Sequence, residues 1–112
     1  NGSFSTNAIL FASNSDKIQA SSNEIIQQIA EALKESKELK VQIIGHTDSD
    51  GDDTKNLLLS KKRAAAVKAK LVNMGIAASR LTTDGKGEKE PVTSNDTEEG
   101  KAANRRVQFI KL

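Results

Sequence analysis

Cysteine is absent from this chain of 112 residues, which excludes disulfide frameworks, thiolate nucleophiles and cysteine-based zinc sites. Aromatic residues are also scarce, with three phenylalanines and neither tryptophan nor tyrosine, so the hydrophobic core must be aliphatic for the most part. No apolar run approaches the roughly 18–20 residues that span a bilayer, and no basic segment followed by an apolar stretch opens the chain. We therefore expect residues 1–112 to be a single mature or excised domain with one core.

The net charge is small, at +2, which argues against nucleic acid or an anionic membrane surface as a partner. The charges are nevertheless segregated along the chain. Residues 41–60 carry four aspartates, residues 61–80 carry basic residues and no acid, and residues 81–100 are again mainly acidic. Such blocks are more often solvated faces than sites, but they also indicate acidic loops beside a basic helix.

In some segments apolar residues recur at helical spacing, as at Ile26, Ile29 and Leu33. In others they occupy every second position, as in a strand, for example at Val41 and Ile43. The pattern predicts strands over 4–11, 39–45, 81–85 and 107–112, main helices over 22–37 and 56–73, and a short helix over 97–103. Strands separated by helices favour an α/β fold, an α+β two-layer sandwich with four strands and the helices on one face.

Asp48 and Arg63 are the most informative polar pair. Asp48 directly follows a predicted strand, and Arg63 lies in the first turns of the next predicted helix, after a loop that contains Gly51. An acid and a guanidinium held close but not fully paired suit a zwitterion, since the carboxylate accepts from an ammonium while the guanidinium binds a carboxylate through two parallel hydrogen bonds. The alternative is a plain salt bridge that joins the loop to the helix.

A longer series of residues at fixed spacing surrounds this pair. It comprises Gly45-His46-Thr47-Asp48, Gly51, Asn56, Leu59-Ser60, Arg63-Ala64, Val67, Leu71, Gly75, Arg80-Leu81, Gly85, Gly87, Pro91, Asn95, Gly100 and Asn104-Arg105-Arg106-Val107. The series resembles the OmpA-like peptidoglycan-binding domain over roughly residues 41–110, and the preceding forty residues fit that family more loosely. The resemblance implies the same fold, with a mixed sheet.

The resemblance also implies a non-enzymatic function without a cofactor. Relatives of this kind bind the diaminopimelate of the peptidoglycan stem peptide and thereby anchor a parent protein to the cell wall. It assigns the ammonium of that ligand to Asp48 and the carboxylate to Arg63. The implied location is the periplasm, attached to the outer membrane, with any membrane contact made by parts of the parent outside this chain.

Four further residues are expected at the ligand by the same resemblance: Asn14, Thr47, Asn56 and Arg105. Asn56 would hold the loop or donate to the ligand, and capping is an alternative for it. Thr47 would shape the turn and add a hydroxyl. Strand side chains alternate, so we do not expect Arg105 and Arg106 to share a face. The resemblance implies that Arg105 faces the cleft, which leaves Arg106 to solvent; a charged strand edge is the alternative.

Three other functions are alternatives to peptidoglycan binding. The aspartates at 48, 50 and 52 suggest calcium, but the sixth and twelfth positions of an EF-hand loop hold Asp53 and Leu59 instead of glycine and glutamate, so no metal site is predicted. Catalysis would need His46, the single histidine, with Ser60 or Asp48, and a structural histidine is the commoner finding. The remaining alternative is a structural or protein-interaction domain of an envelope or stator complex.

Overall fold

The computed structural model describes residues 3–12, 15–91 and 93–112. The elements in chain order are β1 (Ser3–Thr6), α1 (Asn23–Glu35), β2 (Val41–His46), α2 (Asp53–Asn73), β3 (Leu81–Gly87), α3 (Glu98–Asn104) and β4 (Arg106–Lys111), with short 3-10 turns at Ala20–Ser22 and Ala78–Arg80. The sheet has the order β1-β4-β2-β3. Strand β4 is antiparallel to β1 and β2, whereas β2 and β3 are parallel. The predicted α/β class with a four-stranded mixed sheet is confirmed.

The core forms between the sheet and the helices. Helix α2 packs against β2 and β3, and α1 packs against α2. The apolar stripe of α1 supplies Ile26 and Leu33, the sheet supplies Ile43 and Phe109, and all four side chains are buried. Burial of such a stripe, rather than helix propensity, supplies most of the stability of a helix in a protein. No helix among the described residues is long and apolar enough to cross a membrane.

Two glycines let the start of α2 lie directly on the ends of β2 and β3. A Cβ on Gly45 would lie 2.3 Å from the carbonyl oxygen of Ser60, and a Cβ on Gly85 would lie 2.3 Å from the Ser60 hydroxyl. The Ser60 hydroxyl donates to the carbonyl of Leu57 at 2.7 Å and accepts from the amide of Gly87 at 2.9 Å. This close contact places the first turns of α2 beside the loop that follows β2.

The first strand is shorter than the predicted 4–11, because pairing with β4 stops at Thr6. The segment after it still enters the core through Ile9, which is 4% exposed. Its backbone is held in two ways: an isolated antiparallel bridge joins Phe11 to Ile18, and the Ser22 hydroxyl accepts from the amide of Leu10 at 2.6 Å and donates to the carbonyl of Ala8 at 3.1 Å. Ser22 is therefore occupied by this segment and makes no capping hydrogen bond to α1.

Helix α2 begins three residues before the predicted start at Asn56. Asp52 caps it, since its carboxylate accepts from the amide of Thr54 at 3.3 Å. At the other end Gly75 has a φ of 105°, the left-handed conformation expected of a residue that follows a helix. The long helix thus joins two loops of different character, an acidic one before it and a tight turn after it.

Candidate functional site

A pocket of about 560 Å³ lies where β2 ends, α2 begins and α3 meets β4. It is lined by Asn7, Ile9, Leu10, Phe11, Gln19, Gly45, His46, Thr47, Asp48, Asp50, Asn56, Leu59, Arg63, Ala102, Arg105, Arg106 and Val107. Five of the six residues that the sequence assigns to the ligand are among them. The sixth, Asn14, lies outside the described residues. A pocket of this volume is in the range of small-ligand sites.

Asp48 is the buried acid of the pocket and is only 7% exposed. Its Oδ1 accepts from the amide of Asp50 at 2.9 Å, and its Oδ2 accepts from Nη1 of Arg105. A buried carboxylate is tolerated only when its charge and lone pairs are satisfied. The loop amide and the Arg105 guanidinium meet that requirement, so Asp48 reaches the pocket as an ordered acceptor.

Arg63 is the half-buried cation of the pocket. Its Nε donates to the carbonyl of Ser15 at 2.9 Å, and its guanidinium carbon lies 4.8 Å from the centre of the Phe11 ring. Within the described part of the chain it forms no salt bridge. Burial lowers the pKa of Arg63, the charge of Arg105 lowers it further, and the charge of Asp48 raises it. The expected alternative, a staple between Asp48 and Arg63, is wrong, because Asp48 pairs with Arg105.

Arg105 and Arg106 differ in the way they are held. The Arg105 side chain is 43% exposed and pairs with Asp48 at the pocket. Arg106 was expected in solvent, and that expectation is wrong: it is 9% exposed. Its Nη2 donates to the carbonyl of Glu90 at 2.9 Å, and its Nη1 to that of Asn104 at 3.4 Å. The segment before Pro91 covers this face, so Arg106 fastens a loop.

Thr47 and Asn56 shape the loop that presents Asp48. The Thr47 hydroxyl donates to the carbonyl of Asp48 at 2.9 Å, and the Thr47 amide donates to the carbonyl of Gly87 at 2.8 Å. The side-chain amide of Asn56 donates to the carbonyl of Asp50 at 2.8 Å and to that of Asp48 at 3.5 Å. Both contacts are local. The direct roles of these two residues toward a ligand stay a prediction.

The sequence pattern of the OmpA family matches residues 10–105. This chain belongs to the OmpA family. OmpA-like domains are non-enzymatic, so the domain is a binding or structural module and not an enzyme. The match includes the loop after β2, the first turns of α2 and α3 with the residue that follows it, and therefore Asp48, Arg63 and Arg105.

Relatives and solved structures agree with this assignment. The chain is 42% identical over 86 residues to outer membrane protein A of Bordetella avium, covering 77% of this chain and 44% of that protein. It is 36% identical over 102 residues to the peptidoglycan-binding protein ArfA of Mycobacterium tuberculosis, covering 91% and 31%. The cell wall anchor of the T6SS from Pseudomonas aeruginosa is 32% identical, with a TM-score of 0.84 over 98% of this chain and 78% of that one. The chain spans less than half the length of the first two.

His46 and Ser60 of this OmpA-like domain do not form a catalytic pair. His46 is 3% exposed, its Nε2 makes a 3.0 Å hydrogen bond with Oε1 of Gln108, and the Ser60 hydroxyl is bonded to backbone groups. Burial lowers the pKa of His46, which the hydrogen bond to Gln108 raises in part. No group of three or more potential metal ligands occurs among the residues that the structure describes.

Sequence reasoning missed Asn7 and Phe11 as parts of the site of this OmpA-like domain. The Asn7 side chain donates to the carbonyls of Ala102, Ala103 and Arg105 at 2.9, 3.0 and 3.2 Å, which caps α3 and fixes the backbone of Arg105. The Arg63 guanidinium lies over the Phe11 ring in a cation–π contact. Asn7 lies 95 residues before its nearest partner in sequence, so no local pattern signals the contact. Phe11 lies just before a polar turn, which is a weak signal.

Proposed function

We propose that this domain binds peptidoglycan without a covalent bond, through the diaminopimelate of the stem peptide, and so anchors its parent protein to the cell wall. The observation that carries the proposal is that one pocket is lined by a buried carboxylate and by a guanidinium that forms no salt bridge with any residue the structure describes. Each has a partner of its own, and neither neutralises the other. A zwitterionic amino-acid end has the complementary pair of charges.

The two charged groups of the pocket divide the ligand between them. The Asp48 carboxylate accepts from the ligand ammonium. The Nε of Arg63 donates to the carbonyl of Ser15, and its two Nη groups make no hydrogen bond to the rest of the described chain. The Nη edge of the guanidinium is therefore available to a ligand carboxylate. The Phe11 ring beneath the plane limits its rotation. Thr47, Asn56 and Asn14 complete the loop walls in this proposal.

The relatives support the same function at a coarser level. ArfA is named a peptidoglycan-binding protein, and the Pseudomonas aeruginosa structure is that of a cell wall anchor. By analogy with outer membrane protein A, we place the domain in the periplasm, as one folded unit of a longer protein held at the outer membrane. One site of this kind gives micromolar affinity or weaker, because desolvation offsets much of the gain from each charged pair.

A sedimentation assay with purified peptidoglycan tests the proposal. Wild-type domain should pellet with the polymer, and free diaminopimelate should release it. Asp48→Asn keeps an acceptor for the amide of Asp50 but removes the negative charge, so it should abolish pelleting. Lys62→Gln, a change at the exposed neighbour of Arg63 on α2, is the matched control and should pellet like wild type.

The alternative function, a structural domain of an envelope or stator complex, predicts a different pattern. Such a domain would stay in the supernatant before and after each substitution. Equal pelleting of wild type and Asp48→Asn would also end the proposal, since binding would then not depend on the buried acid. Melting temperatures of all variants establish that the fold is intact.

A further inference from the structure

In the free domain, Arg105 donates to the Asp48 carboxylate oxygen that would accept from the ammonium of the proposed ligand. Oδ1 of Asp48 already accepts from the amide of Asp50, and Oδ2 accepts from Nη1 of Arg105. The Asp48 side chain is 10% exposed and that of Arg105 is 43% exposed. An incoming ammonium therefore meets a carboxylate that has a counter-ion, and it must share or displace the more exposed partner.

The backbone of Arg105 is fixed, whereas its side chain has one anchor. Its amide donates to the carbonyl of Lys101 at 3.1 Å, and its own carbonyl accepts from Asn7 at 3.2 Å. Within the described residues, the guanidinium makes a single ion pair, with Asp48. A long, partly exposed side chain on a fixed backbone exchanges one partner for another without moving the loop or the sheet.

The charges around Asp48 decide which ligands make that exchange favourable. Burial and the charge of Arg105 lower the pKa of Arg63, and the charges of Asp48 and Asp16 raise it, so both guanidinium groups lie in the field of the Asp48 carboxylate. A plain amine that displaces Arg105 adds a third cation beside Arg63 and Arg105, while of the two pocket carboxylates Asp50 already pairs with Lys101. An amino-acid end brings its own carboxylate, which neutralises the guanidinium that the ammonium releases.

We propose that Arg105 is an exchangeable counter-ion of Asp48 and a specificity-determining residue, which makes the pocket accept an ammonium beside a carboxylate and reject a plain alkylammonium such as a lysine side chain. The inference rests on the proposed function, in which Asp48 and Arg63 bind an amino-acid end. It adds the reason for selectivity. Any cation that binds Asp48 must break the Asp48–Arg105 ion pair, and only a ligand with a neighbouring carboxylate compensates for the loss of that pair.

Two small ligands separate these contributions. Diaminopimelate and pentane-1,5-diamine have the same two amines on the same carbon chain, and only the first has the carboxylates. Titration calorimetry at one fixed, low salt concentration measures both, since these charges are partly exposed and screened by salt. We expect wild type to prefer diaminopimelate strongly over the diamine.

Arg105→Gln should invert part of this preference. We expect diamine affinity to rise about fivefold, the scale of a partly exposed ion pair, and diaminopimelate affinity to fall several-fold. Lys101→Gln is the matched control, because Lys101 pairs with Asp50 at 3.1 Å and lies in the field of the same acid. That control should change the ratio of the two affinities less than about twofold if the specific pair, and not the general field, sets the selectivity.

The outcomes separate this inference from the function on which it rests. Diaminopimelate binding by wild type, with no gain in diamine affinity in Arg105→Gln, overturns the inference and leaves the proposed function standing. A gain in diamine affinity without diaminopimelate binding by wild type supports the exchange and overturns the proposed ligand. Arg105→Met, which also lacks the charge, should behave like Arg105→Gln; a variant with an unchanged melting temperature that does not do so contradicts the proposal.

Discussion

Two half-buried arginines lie at opposite ends of the parallel strands β2 and β3, and they are used in different ways. At the end where both strands begin, Arg80 donates through Nε to the carbonyl of Leu39 at 3.0 Å, and through Nη2 to the carbonyls of Leu33 and Ser36 at 2.7 and 2.6 Å. At the end where the strands finish, Arg63 makes one such hydrogen bond within the described part of the chain, to Ser15.

The difference shows what makes an arginine available to a ligand. The last carbonyls of a helix have no partner within it. Arg80 donates to two carbonyls at the end of α1 and to one just before β2. Its donors are used by the fold. Arg63 rests on an aromatic ring beside a pocket, with the acid that could neutralise it bound to another arginine. Arg63 and Arg80 are the same residue type and are both half-buried. They differ in the number of backbone carbonyls to which each guanidinium donates.

The largest effect that would test this comparison is on stability, at Arg80. Arg80→Ala leaves three carbonyls without their charged donor, so the free energy of unfolding should fall by about 2–3 kcal/mol. For a domain of this size the melting temperature should fall by about 10 °C. Urea denaturation and thermal melting measure both.

Peptidoglycan pelleting by the folded fraction of Arg80→Ala should be unchanged at a temperature well below its melting point. Arg80→Lys keeps the charge but not the fork of donors, so its stability should lie between those of wild type and the alanine variant. A stability loss under about 0.5 kcal/mol in the alanine variant, the range of ordinary surface changes, would show that Arg80 is not the clasp between α1 and β2.

The second prediction concerns Arg63, where the effect should fall on binding instead of stability. Arg63→Gln removes the carboxylate clamp, so the affinity for diaminopimelate should fall at least about tenfold, the usual scale for losing one partner of a charge pair at a binding site. The unfolding free energy should change by less than about 1 kcal/mol, because the loss of one hydrogen bond and one cation–π contact is offset when the half-buried guanidinium no longer has to be desolvated. Calorimetric titration and urea denaturation are the measurements.

If Arg63→Gln instead unfolds the domain as Arg80→Ala is expected to do, the two arginines are equivalent and the comparison fails. Unchanged diaminopimelate affinity in a folded Arg63→Gln domain would assign the ligand carboxylate to some other group. A stability loss confined to Arg80 and a binding loss confined to Arg63 would support the division between the two ends of the sheet.

Sequence periodicity predicted the elements that bury a regular stripe. Helix α1, strand β2 and strand β4 lie close to their expected positions, because each repeats apolar residues at its own spacing. The first strand is shorter than the pattern predicts, because an apolar run is also typical of irregular chain that enters a core. The Ser22 hydroxyl, twelve residues from Leu10, and the bridge from Phe11 to Ile18 hold this segment, and the apolar pattern of residues 4–11 contains neither.

The sequence predicted which charged residues line one pocket, but not how they pair; their roles toward a ligand stay a prediction. Asp48, Arg63 and Arg105 were all expected at the ligand, and all three line the pocket. That Asp48 would pair with Arg105, 57 residues away, depends on how α3 and β4 approach the loop after β2. The burial of Arg106 depends likewise on the carbonyl of Glu90, which belongs to an irregular segment. Contacts between side chains and distant backbone carbonyls have no period in the sequence.

The smallest predicted effect is a difference in acid sensitivity between the two ends of the sheet. The single histidine of the chain, His46, lies buried at the pocket end, and burial lowers its pKa below the ordinary value of 6.5. The charges of Arg106 and Lys86 lower it further, while Gln108 and Glu90 raise it. Between the folded and unfolded pKa values the unfolded chain binds more protons, so stability must fall as the pH falls below about 6.5.

Hydrogen exchange at pH 7.5 and pH 5.5 locates this effect. After correction for the intrinsic exchange rate, protection should weaken more at the pocket end of β2 than at the junction of α1 and β2, where Arg80 lies. His46→Gln replaces the imidazole with a neutral amide, so its unfolding free energy should depend less on pH over the same range, by no more than about 1.4 kcal/mol per pH unit. Identical pH dependence in wild type and His46→Gln would assign the acid sensitivity to the carboxylates, and the two ends would then respond to pH alike.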